Sequence, residues 1–131
     1  MQIKSHGLDF ELRLSRPDQE GWMSAAIEVH VPSVTCRFGC TIDTAEWSSF
    51  VDELQRLEAA IGKRISANWE NMEENIAFTF VLEERGALSG TYKFSPNNFS
   101  LGPVVSGAFE ADQTSLKAWV ASARAATAHE R

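Results

Sequence analysis

Two cysteines, four prolines and one tyrosine are scarce commodities in a chain of 131 residues, and no long apolar run accompanies them. Two thiols are too few for a disulfide-framed fold. Cys36 and Cys40 also lie within a segment of strand-like alternation, where their separation would be roughly 13 Å at about 3.3 Å per residue. A bridge needs Cα atoms within about 7 Å, so both are expected as buried free thiols. Metal ligands are equally sparse. His6, His30 and His129 stand alone, and no second cysteine pair or His-x-x-x-His spacing completes a ligand set. Gly39, Gly62, Gly86, Gly90, Gly102 and Gly107 are scattered and compose neither a GxGxxG nor a Walker-type loop. The expectation is no metal and no cofactor. Nothing approaches the ~20 apolar residues of a membrane span. The opening MQIKSHGLDFELRL alternates instead of forming the apolar run of a signal peptide, so a cytoplasmic protein without membrane contact is expected. Basic residues are short as well: 12 Lys and Arg against 18 Asp and Glu leave a formal charge of −6. An acidic surface repels phosphate, which disfavours direct nucleic-acid binding.

What remains is an ordinary folding composition, 44% hydrophobic and 23% charged, of a length that fits a single domain over residues 1–131. Its most legible stretch is DTAEWSSFVDELQRLEAAIG, residues 43–62. Asp43 with Glu46 three residues on is a capping-box start. Trp47, Phe50, Val51, Leu54, Leu57 and Ile61 recur at helical steps along one face, and Gly62 provides a left-handed stop. That face predicts packing on a sheet. The opposite face carries Asp52, Glu53, Arg56 and Glu58 and is either solvated or open to a partner.

Period-two alternation marks strands before and after this helix. Leu8–Leu14, Trp22–Val31 and Val34–Ile42 precede it; Ile65–Trp69, Ile76–Leu82, Leu88–Phe94 and an interrupted run from Phe99 to Phe109 follow it. Gly102-Pro103 and Gly107 within the last run predict a bulge or an edge position. A second helix starts at Asp112 or Thr114, with Leu116, Trp119, Val120, Ala123 and Thr127 as its inner stripe. Together these predict an α+β fold: a mostly antiparallel sheet of about six to seven strands packed with two amphipathic helices, in the order three strands, helix, four strands, helix. Asp43, Trp47, Phe50, Val51 and Leu54 match Asp112, Leu116, Trp119, Val120 and Ala123 at identical offsets. A duplication and the ordinary spacing of any capped amphipathic helix both account for that match.

Charge is uneven along the chain. Residues 43–74 hold eight acids against three bases, whereas residues 75–131 hold five of each. Glu70, Glu73 and Glu74 add an acidic turn to the helix face of Asp52, Glu53 and Glu58. These six residues are the candidate partner-binding set, and the partner they suit is a basic protein. Solubility alone would also explain the acidity. No catalytic set emerges. The histidines sit near the start, on a polar strand face and in the C-terminal tail, away from any nucleophile motif. The pairs Glu73-Glu74 and Glu83-Glu84 flank turns. Phe78, Phe80, Tyr92 and Phe94 on adjacent strands suggest a sheet that stacks bases, but few basic residues accompany them and core packing fits their alternation better.

The order of elements, and the stretch Phe109-Glu110-Ala111-Asp112-Gln113-Thr114-Ser115-Leu116 entering the last helix, resemble WapI-type bacterial immunity proteins, small antitoxins of contact-delivered toxins. The resemblance implies a non-catalytic binding protein that neutralises a secreted toxin, often a nuclease, by occluding its active surface. It assigns no individual residue. Two other readings stay open at this point: a ligand-binding fold with an apolar pocket near Trp22, Trp69 and the aromatic strands, and a small enzyme with a cleft formed only in space.

Overall fold

A computed structural model of the chain describes residues 1–97 and 101–128. Four strands followed by a helix occur twice in succession. The first set is β1 (Gln2–Ser5), β2 (Leu8–Leu14), β3 (Trp22–Val31), β4 (Val34–Asp43) and α1 (Thr44–Ala59). The second is β5 (Ile65–Glu70), β6 (Ile76–Leu82), β7 (Ala87–Phe94), β8 (Val105–Asp112) and α2 (Thr114–Ala125). Each set of strands forms its own antiparallel sheet with sequential neighbours, β1-β2-β3-β4 and β5-β6-β7-β8.

The expected single sheet of six to seven strands, three before the first helix and four after it, is therefore corrected to two four-stranded sheets. Two physical reasons account for the difference. β1 is only four residues long and buries Ile3 alone, too little for alternation to register. It is held by pairing, Gln2 opposite Glu11 through Ser5 opposite Leu8, across a turn in which Gly7 takes φ +97°. Alternation also reveals a strand's faces but not its partners. The 16-residue α1 separates β4 from β5, so the second sheet starts afresh. The sheets meet instead at β1 and β8, where His6 and Glu110 exchange two backbone hydrogen bonds of 2.9 Å.

The apolar faces of both sheets share one core with the helices. Phe10 of β2 stands edge-on to Phe78 of β6 (5.1 Å between centroids) and stacks on Phe94 of β7 (5.7 Å). Phe78, Phe80, Tyr92 and Phe94 are all buried, so these aromatic rows face inward. From α1, Trp47, Phe50, Leu54 and Leu57 are buried, each such side chain contributing about 1.5–3 kcal/mol by leaving water. Trp47 Nε1 donates to the Ala123 carbonyl of α2 at 2.9 Å, which satisfies the indole inside the helix–helix contact.

Helix ends account for the smaller departures. The capping box of Asp43 and Glu46 is formed, but α1 stops at Ala59, leaving Ile61 44% exposed instead of in the stripe. Gly62, at φ +98°, turns the chain after that stop. α2 begins at Thr114, and Thr127 lies exposed beyond its end. β8 begins at Val105, with exposed residues from Leu101 to Val104 before it; Phe99, where its strand was expected to start, lies outside the described residues.

Candidate functional site

The acidic corner where α1 begins is built around Glu46. One carboxylate oxygen accepts from the Asp43 backbone N–H (2.8 Å), closing the capping box, and the other accepts from the Met72 backbone N–H. The Glu46 carbonyl accepts from Trp69 Nε1 at 3.0 Å. The first turn of α1 thus holds both β5 and the turn that follows it.

That turn, residues 71–75, is fixed from within by two buried amides. Asn71 Oδ1 accepts from Ile76 N (2.9 Å), and Asn71 Nδ2 donates to Asn75 Oδ1 (3.3 Å). Asn75 Nδ2 in turn donates to the Ser95 carbonyl at 3.0 Å. The turn presents Met72, Glu73 and Glu74 at the surface, Glu74 in the left-handed region at φ +60°. Glu73 Oε1 accepts from Thr41 Oγ1 of β4 at 3.1 Å, which joins the turn to the end of that strand. Beside it, burial pushes the Cys40 thiol up to about 12, with the Glu73 and Glu46 carboxylates adding to the shift. Both cysteines are free and half-buried on the inner side of β4.

The six candidate residues are distributed over more than one surface. Glu73 and Glu74 lie on the turn, and Glu70 is exposed at the end of β5. Asp52 is exposed and borders a shallow groove between the helices with Gln55 and Arg124. Glu53 accepts from Arg56 at 2.8 Å, and the same guanidinium donates to the Ser66 carbonyl of β5 at 2.7 Å, so this acid faces the sheet and carries its own counter-charge. Glu58 is half-buried. Sequence periodicity missed Asn71 and Asn75, because an asparagine in a turn looks the same whether it is solvated or locked inside.

The outer face of the first sheet carries a second feature, a hollow of about 360 Å³ lined by Glu11, Arg13, Ala26, Glu28 and Arg37 among others. It forms where two small residues, Ala26 and Gly39, are paired in register. Hydrogen bonds from Arg37 and then His30 hold the Glu28 carboxyl below its usual range. His30 also lies 3.1 Å from Thr35 Oγ1, an exposed strand histidine among polar neighbours. Of the carboxylate pairs, Glu73 is engaged by Thr41, and Glu83 lies 3.5 Å from Arg64. Among the described residues no group of three or more His, Cys, Asp or Glu is placed to hold a metal ion, and no helix is long and apolar enough to cross a membrane.

The sequence matches the immunity protein WapI-like family over residues 1–129. The chain belongs to this family. It is therefore an immunity protein, for which a toxin is the implied partner. No curated protein matches it. Among solved structures it is similar to a protein of unknown function from the DUF155 family of Prochlorococcus sp. NATL2A, at 7% identity and a TM-score of 0.41, with 95% of this chain and 97% of that one covered. As an immunity protein, this chain needs a surface on which a toxin can be held.

Proposed function

We propose that this immunity protein neutralises a basic toxin, of the nuclease class, by setting the acidic turn of Glu73 and Glu74 against the toxin's cationic substrate groove. The observation that carries the reading is the concentration of charge: residues 43–74 hold eight acids against three bases, and the turn is locked to α1 and β4 through Glu46 and Thr41. A nuclease groove is lined with cations that meet phosphate. Carboxylates presented from a fixed turn can occupy that groove with little loss of conformational freedom on binding. Charge of opposite sign also speeds encounter. Glu70 continues the acidic surface, while Asp52 and Glu58 lie apart from it on α1.

The test is inhibition of the cognate toxin, identified by capture on this chain and assayed on nucleic acid. Stoichiometric inhibition is expected, weakened by Glu73→Lys with Glu74→Lys and little changed by Asp52→Lys with Glu58→Lys. Full inhibition by the turn variant would remove the turn from the interface, and a toxin that does not cut nucleic acid would remove the nuclease class.

A further inference from the structure

We infer that the open edge of β4 is where the toxin adds a strand of its own, in register with the first sheet and with a basic residue of that strand lying against Glu73. The inference rests on the proposed toxin-binding function and locates the main-chain part of the contact.

The two sheets have four outer strands, β1, β4, β5 and β8. β1 and β8 bond to one another through His6 and Glu110. β5 is packed by α1, whose Arg56 takes the Ser66 carbonyl. Among the described residues, β4 pairs with β3 alone. It runs for ten residues, pairs with β3 without a bulge, and contains neither proline nor lysine. Short length, proline, charged side chains and bulges are the usual devices that keep an edge from pairing, and of these β4 has only the charge of Arg37, which is paired with Glu28 of β3.

The register says which groups are free to pair. Val31 and Val34 flank a two-residue turn, and in such hairpins the flanking residues exchange both backbone hydrogen bonds. Alternation along the ladder then turns the backbone groups of Cys36, Phe38 and Cys40 toward β3, and those of Thr35, Arg37, Gly39 and Thr41 outward. Asp43 follows the outward set, and its N–H is taken by Glu46 from outside the sheet. Thr35, Arg37, Gly39 and Thr41 are all exposed.

Two further observations describe the incoming strand. On the inner side, Cys36, Phe38 and Cys40 are only partly buried, although they continue the apolar core. An added strand covers them with apolar side chains at alternate positions. At the far end of β4, Glu73 bonds Thr41, with Glu74 next in sequence, so the matching end of the added strand carries Lys or Arg. The chemistry of the occupant is thus an extended toxin segment, alternately apolar, with one basic end.

Gly39→Pro removes one outward N–H and leaves the bonds to β3 intact, because proline is tolerated where the N–H faces away from the sheet. Gly39→Ala keeps that N–H, and its Cβ would lie an ordinary 3.5 Å from the Ala25 carbonyl oxygen. With a catalytically inactivated form of that cognate toxin as probe, Gly39→Pro is expected to weaken binding about tenfold or more and Gly39→Ala to leave it within about twofold, from the loss of one main-chain hydrogen bond and the bulk of the ring. Hydrogen exchange supplies a readout independent of any substitution. The amides of Thr35, Arg37, Gly39 and Thr41 should exchange freely in the isolated chain and become protected in the complex, whereas those of Cys36, Phe38 and Cys40 are protected in both. A tight complex in which the four outward amides still exchange freely overturns the strand addition while leaving toxin binding intact. Absence of any complex overturns both, and protection that appears in the chain alone at high concentration assigns the edge to a second copy instead.

Discussion

Gly90 and Gly107 each pair with an aromatic residue across the β7–β8 ladder, Gly90 with Phe109 and Gly107 with Tyr92. A Cβ at Gly90 would stand 2.5 Å from Phe109 Cζ, and one at Gly107 would stand 2.7 Å from Tyr92 Cζ. These glycines let the rings lie flat over the neighbouring strand. Overpacking of this kind costs about 1–3 kcal/mol, so Gly90→Ala and Gly107→Ala should each lower the urea midpoint of unfolding. Gly90→Ala should cost more, because the Thr79 carbonyl oxygen also crowds that site. Equal midpoints for wild type and both variants would contradict the packing. The Cys40 thiol gives a prediction in pH. Burial, Glu73 and Glu46 raise its pKa to about 12, so the folded chain retains a proton that the unfolded chain releases near a thiol's ordinary pKa of about 8.5. Its contribution to stability is constant below that value and falls as pH rises toward 12. Between pH 7 and 9.5 the urea midpoint should drop further for wild type than for Cys40→Ser, and identical drops would refute it. At this scale the sequence says only so much. The alternation of β4 places both thiols on one inner face too far apart to bridge, but the roles of Gly90 and Gly107 depend on which strand lies opposite.

At the scale of the element, the start of α1 is the most informative piece. Asp43 closes the capping box, while Glu46 closes it and also holds the Met72 amide. Asp43→Ala should cost about 0.5–2 kcal/mol, the ordinary range for a lost N-cap, and Glu46→Ala should cost at least as much because it also releases the 71–75 turn. Urea unfolding measures both, and a Glu46→Ala loss clearly smaller than that of Asp43→Ala would disprove the link to the turn. Helix caps and stripes were legible because their signals are local: Asp43, Trp47, Phe50 and Leu54 identify α1 without reference to anything distant. β1 was not legible, since Ile3 is its single buried residue and its pairing with β2 is what makes it a strand. The beginning of β8 was misplaced for a related reason. Gly102 and Pro103 read as interruptions within a strand, whereas the strand starts at Val105, after both.

Across the whole molecule, the same succession of four antiparallel strands and a helix occurs twice, with β4 and β8 each ending on the aspartate that precedes a helix. The halves differ in charge. Asp43, Glu46, Glu73 and Glu74 gather where α1 begins, while α2 has no acid in its first turn and only Asp112, whose carboxylate accepts from the Thr114 N–H at 2.8 Å, beside its start. Counting charges along the sequence marks residues 43–74 as acidic, yet it cannot tell that Glu53 is turned toward Arg56 and β5 while Glu73 is bound to β4, since those distinctions arise only when helix and sheets pack together. On the proposed reading, this immunity protein recognises its toxin at one corner, where a fixed acidic turn meets a strand that pairs, among the described residues, with β3 alone. The most direct test of that proposal is the salt dependence of affinity for the cognate toxin, measured by titration calorimetry for wild type and for Glu73→Lys with Glu74→Lys. Wild-type affinity should fall steeply between about 50 and 200 mM salt, and the variant should bind more weakly with a clearly shallower slope. Equal affinity and equal slope for the two proteins would contradict the account.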